Sequence, residues 1–238
     1  IDTRALTKII RRNGTLRGLI SLRRLPHTKL MDMLDGYNNS KAVDMVTTKE
    51  TYTIEGSGRN LAVIDFGIKN TILQALKDKD LKITVFPSNT SVSEILSSNP
   101  QGLFLSNGPG DPKDYPEIIE NVKALLEKIP TMGNGLGHQF IALALGGDTE
   151  KLAFGHRGSN HPVKDIYKDR SYITSQNHGY VVSKVPEDME ITHISLNDQT
   201  IEGLRHKTKP ILSVQFQPEA YPGTEDMIDI FDEFIEQL

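Results

Sequence analysis

Residues 129–139 have the sequence IPTMGNGLGHQ, in which a short apolar run is followed by three alternating glycines and then by a helical pattern. This order predicts a strand at 129–132, a tight turn, and a helix at 138–145. Such a turn raises its central residue, Gly135, above the edge of a sheet, where N–H groups at the helix start can stabilise an oxyanion. A glycine-rich turn without any chemistry has the same pattern, so this stretch alone leaves both interpretations open.

Strands and helices alternate on the N-terminal side of this turn. Strands are predicted at 61–66, 82–86 and 102–106. Three helices are predicted: one at 70–79, one that begins at the capping box of Ser91, and one at 116–128. This alternation predicts an α/β fold with a mostly parallel sheet flanked by helices. After residue 147 we expect shorter strands and turns, and then an amphipathic helix whose apolar stripe contains Met227, Phe231, Phe234 and Leu238.

The first sixty residues have a different character. A helix is predicted at 3–12, whereas residues 36–59 are polar, rich in Gly, Asn, Ser and Thr, and without periodicity, which is typical of a linker. We therefore predict two units, 1–45 and 59–238. The first thirty residues contain eight basic residues and one acidic residue. This basic stretch is either a solvated face or a docking surface for an acidic partner.

Composition excludes several classes of function. The 238 residues include no cysteine, so disulfides, zinc–thiolate sites and a cysteine nucleophile are all excluded. The net charge of −4 gives no general attraction to nucleic acid or to acidic membranes. There is no apolar run of the roughly 20 residues that a membrane span needs, and no signal peptide is recognisable. The default expectation is a cytoplasmic protein.

Four further motifs follow in a definite order. They are LSNGPGDP at 105–112, GHRGSNHPV at 155–163, TSQNHGY at 174–180 and QFQPEA at 215–220. Together with the turn at 133–139, they resemble the class I glutamine amidotransferases, and more narrowly the small subunit of glutamine-dependent carbamoyl-phosphate synthase. The resemblance runs from about residue 60 to residue 238 and implies a flavodoxin-like amidotransferase domain at 59–238. The opening IDTRALT resembles the end of that subunit's N-terminal domain, so residues 1–45 are predicted to be its remnant and the chain a fragment.

The same resemblance places the family's catalytic triad on three positions. Its nucleophilic cysteine corresponds to Gly135, its histidine base to Gln217, and its orienting glutamate to Glu219. Two of the three groups are therefore replaced, and we expect no thioester chemistry. The family's elbow isoleucine is Asn134 here, and the serine that follows its late motif is Tyr221.

The glutamine pocket that the resemblance implies does not require the cysteine. Its backbone and side-chain groups correspond to seven positions, namely Gly108, Gly110, Leu136, Gln139, Asn177, Gly179 and Tyr180. Nearby hydroxyls and imidazoles, such as Ser106, Ser175, His138 and His178, are expected to be structural and not to replace the missing groups. His156 and His161 are not expected to bind a metal, because no acidic residue lies near them in the sequence.

The role implied is that of the ammonia-supplying chain of a synthase that makes carbamoyl phosphate for arginine and pyrimidine synthesis. L-Glutamine would be its ligand and the large subunit its partner. The chain itself would need no cofactor, because ATP and Mg²⁺ belong to the large subunit in that family. The alternative is a non-catalytic subunit that binds glutamine or acts as a scaffold for a synthase that uses free ammonia.

Overall fold

The computed structural model describes residues 1–219 and 223–238. The described helices are α1 (Thr3–Asn13), α2 (His27–Asp35), α3 (Ala42–Val46), α4 (Asn70–Lys77), α5 (Val92–Ser97), α6 (Pro116–Leu126), α7 (Leu136–Ala144) and α8 (Ile230–Ile235), with a short 3-10 turn at Pro112–Asp114. The described strands are β1 (Tyr52–Ile54), β2 (Asn60–Asp65), β3 (Lys82–Pro87), β4 (Gly102–Leu105), β5 (Thr131–Asn134), β6 (Asp148–Asp165), β7 (Arg170–Lys184), β8 (Met189–Ser195), β9 (Ile201–His206) and β10 (Ile211–Val214).

All ten described strands belong to one sheet, in the order β1-β3-β2-β4-β5-β10-β9-β7-β6-β8. The five strands from β3 to β10 run parallel to one another. The other five pair antiparallel, and because β8 also pairs with β9, the strands β9, β7, β6 and β8 close on themselves. The expected α/β fold is confirmed. The sheet is not mostly parallel, however, because only five of its ten described strands run parallel to one another.

The parallel centre is covered on both faces, which is why its strands are apolar along their length. Alternate side chains of β2 enter different clusters: Ala62 and Ile64 pack towards α6 and α7, and Leu61 and Val63 pack towards α4 and α8. The predicted apolar stripe near the C-terminus is largely buried, with Phe231 fully enclosed. No described helix is long and apolar enough to cross a membrane.

The polar stretch 36–59 was expected to be a linker and is instead partly built into the fold. It contains α3 and β1, and β1 pairs with β3 at the edge of the sheet. Val43 is fully buried, and its N–H donates to Tyr115 Oη at 2.9 Å. The division into two units, 1–45 and 59–238, stays a prediction.

The region after residue 147 was expected to have short strands, which holds for β8, β9 and β10 but was wrong for β6 and β7. β6 has 18 residues and β7 has 15, and they form one long ribbon with register shifts. Gly155, with φ of +68°, lies within one of these shifts, where a bulge reverses the inward and outward faces of the strand. The bulge breaks the alternation that makes a long strand recognisable in a sequence.

Candidate functional site

The turn at Gly135 has the geometry of a nucleophile elbow. Gly135 connects β5 to α7 with φ of +55° and ψ of −108°, a conformation that costs any other residue strain. Its N–H donates to the Val214 carbonyl at 2.9 Å, and that of Gly137 donates to the Ser106 carbonyl at 3.0 Å. These bonds anchor the turn to the ends of the neighbouring strands β10 and β4.

Close packing explains the glycines on this turn. A Cβ atom at Gly137 would overlap the carbonyl oxygen of Leu105, so the start of α7 lies directly on β4. A Cβ atom at Gly135 would lie 3.2 Å from Asn107 Cβ, which a small shift of the neighbour can relieve. The turn therefore has room for a short side chain at position 135 and none at position 137.

Gln217 and Glu219 share a lysine-centred contact that the sequence did not reveal. Lys69 Nζ lies 3.0 Å from Gln217 Oε1 and 2.5 Å from Glu219 Oε1. The Glu219 side chain is fully buried, and its Oε2 has no hydrogen-bond partner among the described residues. Among the described residues, the charge of Glu219 is thus compensated by Lys69.

Lys69 reaches this place because it follows β2, whose carboxyl end meets the same sheet edge as the elbow. A single lysine in a loop has no recognisable spacing. Its only signal is its location a few residues after a buried parallel strand, at the edge where ligands bind in such sheets.

The predicted pocket residues surround one cavity of about 500 Å³. Nine predicted positions line it, namely Gly108, Gly110, Gly135, Leu136, Gln139, Asn177, Gly179, Tyr180 and Gln217. Three cationic side chains, Lys69, Lys151 and Arg157, also line it, and none of its described lining residues is acidic. Glu219 lies behind this surface, and Tyr221 lies outside the described residues.

Gln139 connects two walls of the cavity. Its Nε2 donates to the Tyr180 carbonyl on β7 and to Gln215 Oε1, both at 2.9 Å. Its Oε1 is buried without a hydrogen-bond partner among the described residues. Asn134 is fully buried and donates from Nδ2 to the Phe216 carbonyl at 2.7 Å.

Three of the nearby polar residues, Ser106, His138 and Ser175, take part in contacts with the surrounding fold. Ser106 Oγ accepts from Phe66 N–H and donates to the Asn107 carbonyl. The imidazole of His138 contacts Ser213 Oγ at 2.8 Å, and burial lowers its pKa to about 3. Ser175 belongs to an isolated bridge, in which its carbonyl accepts from the Gln217 N–H.

A second group of titratable side chains lies behind the β7 wall. His156 Nε2 lies 2.8 Å from Asp198 Oδ2, and its Nδ1 lies 3.3 Å from Glu202 Oε1. The nearby carboxylate of Glu202 is the main cause that raises the pKa of His156 to about 9. The acidic partners that the sequence lacked near His156 are therefore present in space, because β9 and the turn before it bring them there.

Comparison with known proteins agrees with this geometry. A family model described as glutamine amidotransferase class-I matches residues 62–237. The chain is 53% identical over 235 residues to the carbamoyl phosphate synthase small chain of Clostridium perfringens, covering 99% of this chain and 67% of that protein. It is 46% identical over 248 residues to the carbamoyl phosphate synthase pyrimidine-specific small chain of Bacillus subtilis, covering 100% of this chain and 66% of that protein. The chain spans about two thirds of the length of these relatives.

Two solved structures share the fold. A putative GMP synthase component from Thermoplasma acidophilum aligns with a TM-score of 0.67 and 24% identity, covering 76% of this chain and 94% of that chain. A glutamine amidotransferase from Thermotoga maritima aligns with a TM-score of 0.54 and 14% identity, covering 68% and 77%. At these identities the likeness shows the fold alone.

Proposed function

Because the chain belongs to the carbamoyl phosphate synthase small chain family of class I glutamine amidotransferases, we propose that it is a synthase subunit that binds glutamine without hydrolysing it. The observation that carries this proposal is the elbow itself. It has the geometry that presents a nucleophile, yet position 135 has no side chain.

Hydrolysis by the thioester route needs three events at this place. A thiolate attacks the side-chain amide carbon of glutamine, a base passes a proton to the departing ammonia, and water then cleaves the thioester. Gly135 offers no sulfur for the first event, and the carboxamide of Gln217 offers no titratable nitrogen for the second. Lys69 donates towards both Gln217 and Glu219, so it is placed to neutralise the buried carboxylate and not to accept a proton.

Binding depends on groups that remain. The cavity brings together the glycine-rich loop after β4, the start of α7 and the 177–180 wall, and three cations face it. Of these cations, Lys151 and Arg157 suit the α-carboxylate of an amino acid, whereas Lys69 is already paired with Glu219. The N–H groups at the start of α7 suit the oxygen of the side-chain amide. These features support glutamine as the ligand.

The partner under this proposal is the large chain of the synthase, which would carry out the ATP- and Mg²⁺-dependent steps. With a silent glutaminase site, the assembly would draw on free ammonia, and this chain would contribute glutamine sensing or a scaffold. Pyrimidine synthesis is the pathway suggested by the name of the Bacillus subtilis relative. Arginine synthesis is the other pathway that such a synthase can feed.

Calorimetric titration with L-glutamine tests the binding half of the proposal. We expect saturable binding of L-glutamine and none of D-glutamine. Asn177→Ala should weaken binding, because Asn177 lines the cavity, whereas Asn197→Ala, an exposed asparagine outside it, should bind like the unchanged chain. Equal heats for both enantiomers, or for both variants, would refute the assigned pocket.

A further inference from the structure

Three strands bring two histidines and one glutamate together behind the cavity. His156 on β6 is directly opposite His178 on β7, and Glu202 is contributed by β9. One possible ligand atom from each residue lies within 4.8 Å of the others. His156 and Glu202 are buried, and His178 is partly exposed towards the cavity.

Outer hydrogen bonds fix how the two imidazoles are oriented. His156 Nε2 donates to the carboxylate of Asp198 at 2.8 Å, and His178 Nδ1 donates to the carbonyl of Tyr180 at 3.0 Å. Since a carboxylate and a carbonyl only accept, these two nitrogens carry the protons. The other nitrogen of each ring, Nδ1 of His156 and Nε2 of His178, then faces the centre of the group. Metal-binding histidines are held in this way by carboxylates and backbone carbonyls.

The third residue is a buried carboxylate without a hydrogen bond to any described residue. Neither oxygen of Glu202 meets hydrogen-bond geometry with a described residue, although Oε1 lies 3.3 Å from His156 Nδ1. A buried carboxylate without hydrogen bonds is costly away from water.

A contact between two acceptors points to a cation at the same place. With the ring proton of neutral His178 on Nδ1, its Nε2 carries a lone pair. That nitrogen lies 2.8 Å from Gln176 Oε1, which is also an acceptor and which lies 2.8 Å from His156 Nδ1 as well. A metal ion among these atoms would take the place of the proton between His156 Nδ1 and Gln176 Oε1 and convert these contacts into shared coordination.

We propose that His156, His178 and Glu202 form a binding site for a Zn²⁺ ion, with Gln176 Oε1 as the fourth ligand. Two imidazoles and a carboxylate are a common ligand set for zinc. Neighbouring ligands of tetrahedral zinc are about 3.4 Å apart, close to the 3.3 Å between His156 Nδ1 and Glu202 Oε1. The widest pair of ligand atoms must close by about 1.4 Å. The ion would join β6, β7 and β9 behind the wall that contains Asn177.

Zinc titration of the metal-stripped 238-residue chain, in a buffer that does not chelate, tests this site. We expect one Zn²⁺ per chain with a Kd of about 1 μM or below.

Glu202→Gln, which keeps the shape of the side chain and removes its charge, should weaken zinc binding at least about 100-fold. Asp198→Asn should weaken it about 10- to 100-fold, because it removes the outer partner of His156. The matched control is His27→Asn, a histidine outside the group, which should bind like the unchanged chain. Unchanged affinity in Glu202→Gln overturns the proposal.

A measurement on the unsubstituted chain keeps the test valid if a variant fails to fold. X-ray absorption at the zinc edge should show nitrogen and oxygen neighbours only, with the scattering pattern of two imidazoles. Absence of saturable zinc binding would show that the group holds a proton only and would overturn the proposal. A spectrum without imidazole would overturn it as well.

Discussion

The Nζ atom of Lys69 lies 2.5 Å from Oε1 of Glu219, so a lysine neutralises the buried carboxylate at the centre of the site. Among the residues that the structure describes, no histidine pairs with this carboxylate, and Lys69 compensates its charge. Removing one partner of a buried ion pair costs far more than removing an exposed one. This relationship gives the first of five predictions.

Lys69→Met should lower the free energy of unfolding by about 2–3 kcal/mol, because it leaves Glu219 buried and charged. Urea denaturation at neutral pH measures this change. Lys79→Met is a matched control: both lysine side chains are 29% exposed, but the partner of Lys79 is the 47% exposed Asp232. The control should cost less than about 1 kcal/mol. Equal losses in the two variants would contradict this account of Glu219.

The Lys69→Met/Glu219→Gln double variant should recover most of the stability, because it removes the uncompensated charge as well. A double variant as unstable as Lys69→Met alone would show that the lysine acts through packing and not through the pair.

Gly137→Ala should destabilise the chain by about 2–3 kcal/mol, because the added methyl group overlaps the backbone of Leu105. Thermal or urea denaturation measures the loss. Gly18→Ala, where a Cβ atom meets nothing within 4 Å, should stay within about 0.5 kcal/mol of the parent. Similar stabilities for the two variants would mean that the backbone at Gly137 is farther from Leu105 than the structure shows.

His138 should make stability depend on pH. Burial lowers its pKa to about 3 from a usual value of 6.5, so the unfolded chain binds its proton first as the pH falls. The stabilisation is therefore complete above pH 6.5 and is lost towards pH 3, by about 1.4 kcal/mol per pH unit. Urea denaturation at pH 7 and pH 5 should show a smaller pH effect in His138→Gln than in the parent or in the exposed-site control His27→Gln. The same pH effect in all three would contradict the buried, neutral state of His138.

Gly135→Cys would introduce the only thiol of the chain, so alkylation followed by mass spectrometry reports on this site alone. Saturating glutamine should slow alkylation at least about fivefold, because a ligand that fills most of a pocket shields its floor. Gly18→Cys, outside the cavity, is the control and should react at the same rate with and without glutamine. Equal protection at both positions, or at neither, would argue against glutamine in this cavity.

The part of the fold that was predictable consists of continuous apolar runs and glycine turns. The strands β2 to β5 are buried on both faces, so their hydrophobic runs are recognisable, and the elbow at Gly135 follows from its glycine spacing. The ends shifted by a few residues: α7 begins at Leu136 and not at 138. Local sequence patterns decide these elements, which is why the prediction works for them.

The part that was missed depends on contacts between distant segments. β1 is a three-residue edge strand in which only Ile54 is partly buried, so its sequence is too short to distinguish it from the polar residues around it. Lys69 and Glu219 meet only because β2 and β10 end at one edge of the sheet, and Glu202 meets His156 only because β9 completes the closed set of strands. No spacing within one segment contains that information.

The elbow at Gly135 keeps its shape but presents no side chain, and glutamate release from glutamine tests most directly whether it is catalytically silent. Loss of a catalytic group in such a triad costs roughly 10⁴–10⁶ in rate. Gly135→Cys/Gln217→His should regain glutamate release that saturates with glutamine, and it serves as the comparison for the unchanged chain. We predict that the unchanged chain releases no glutamate above a buffer blank, whereas saturable release by it would contradict the account.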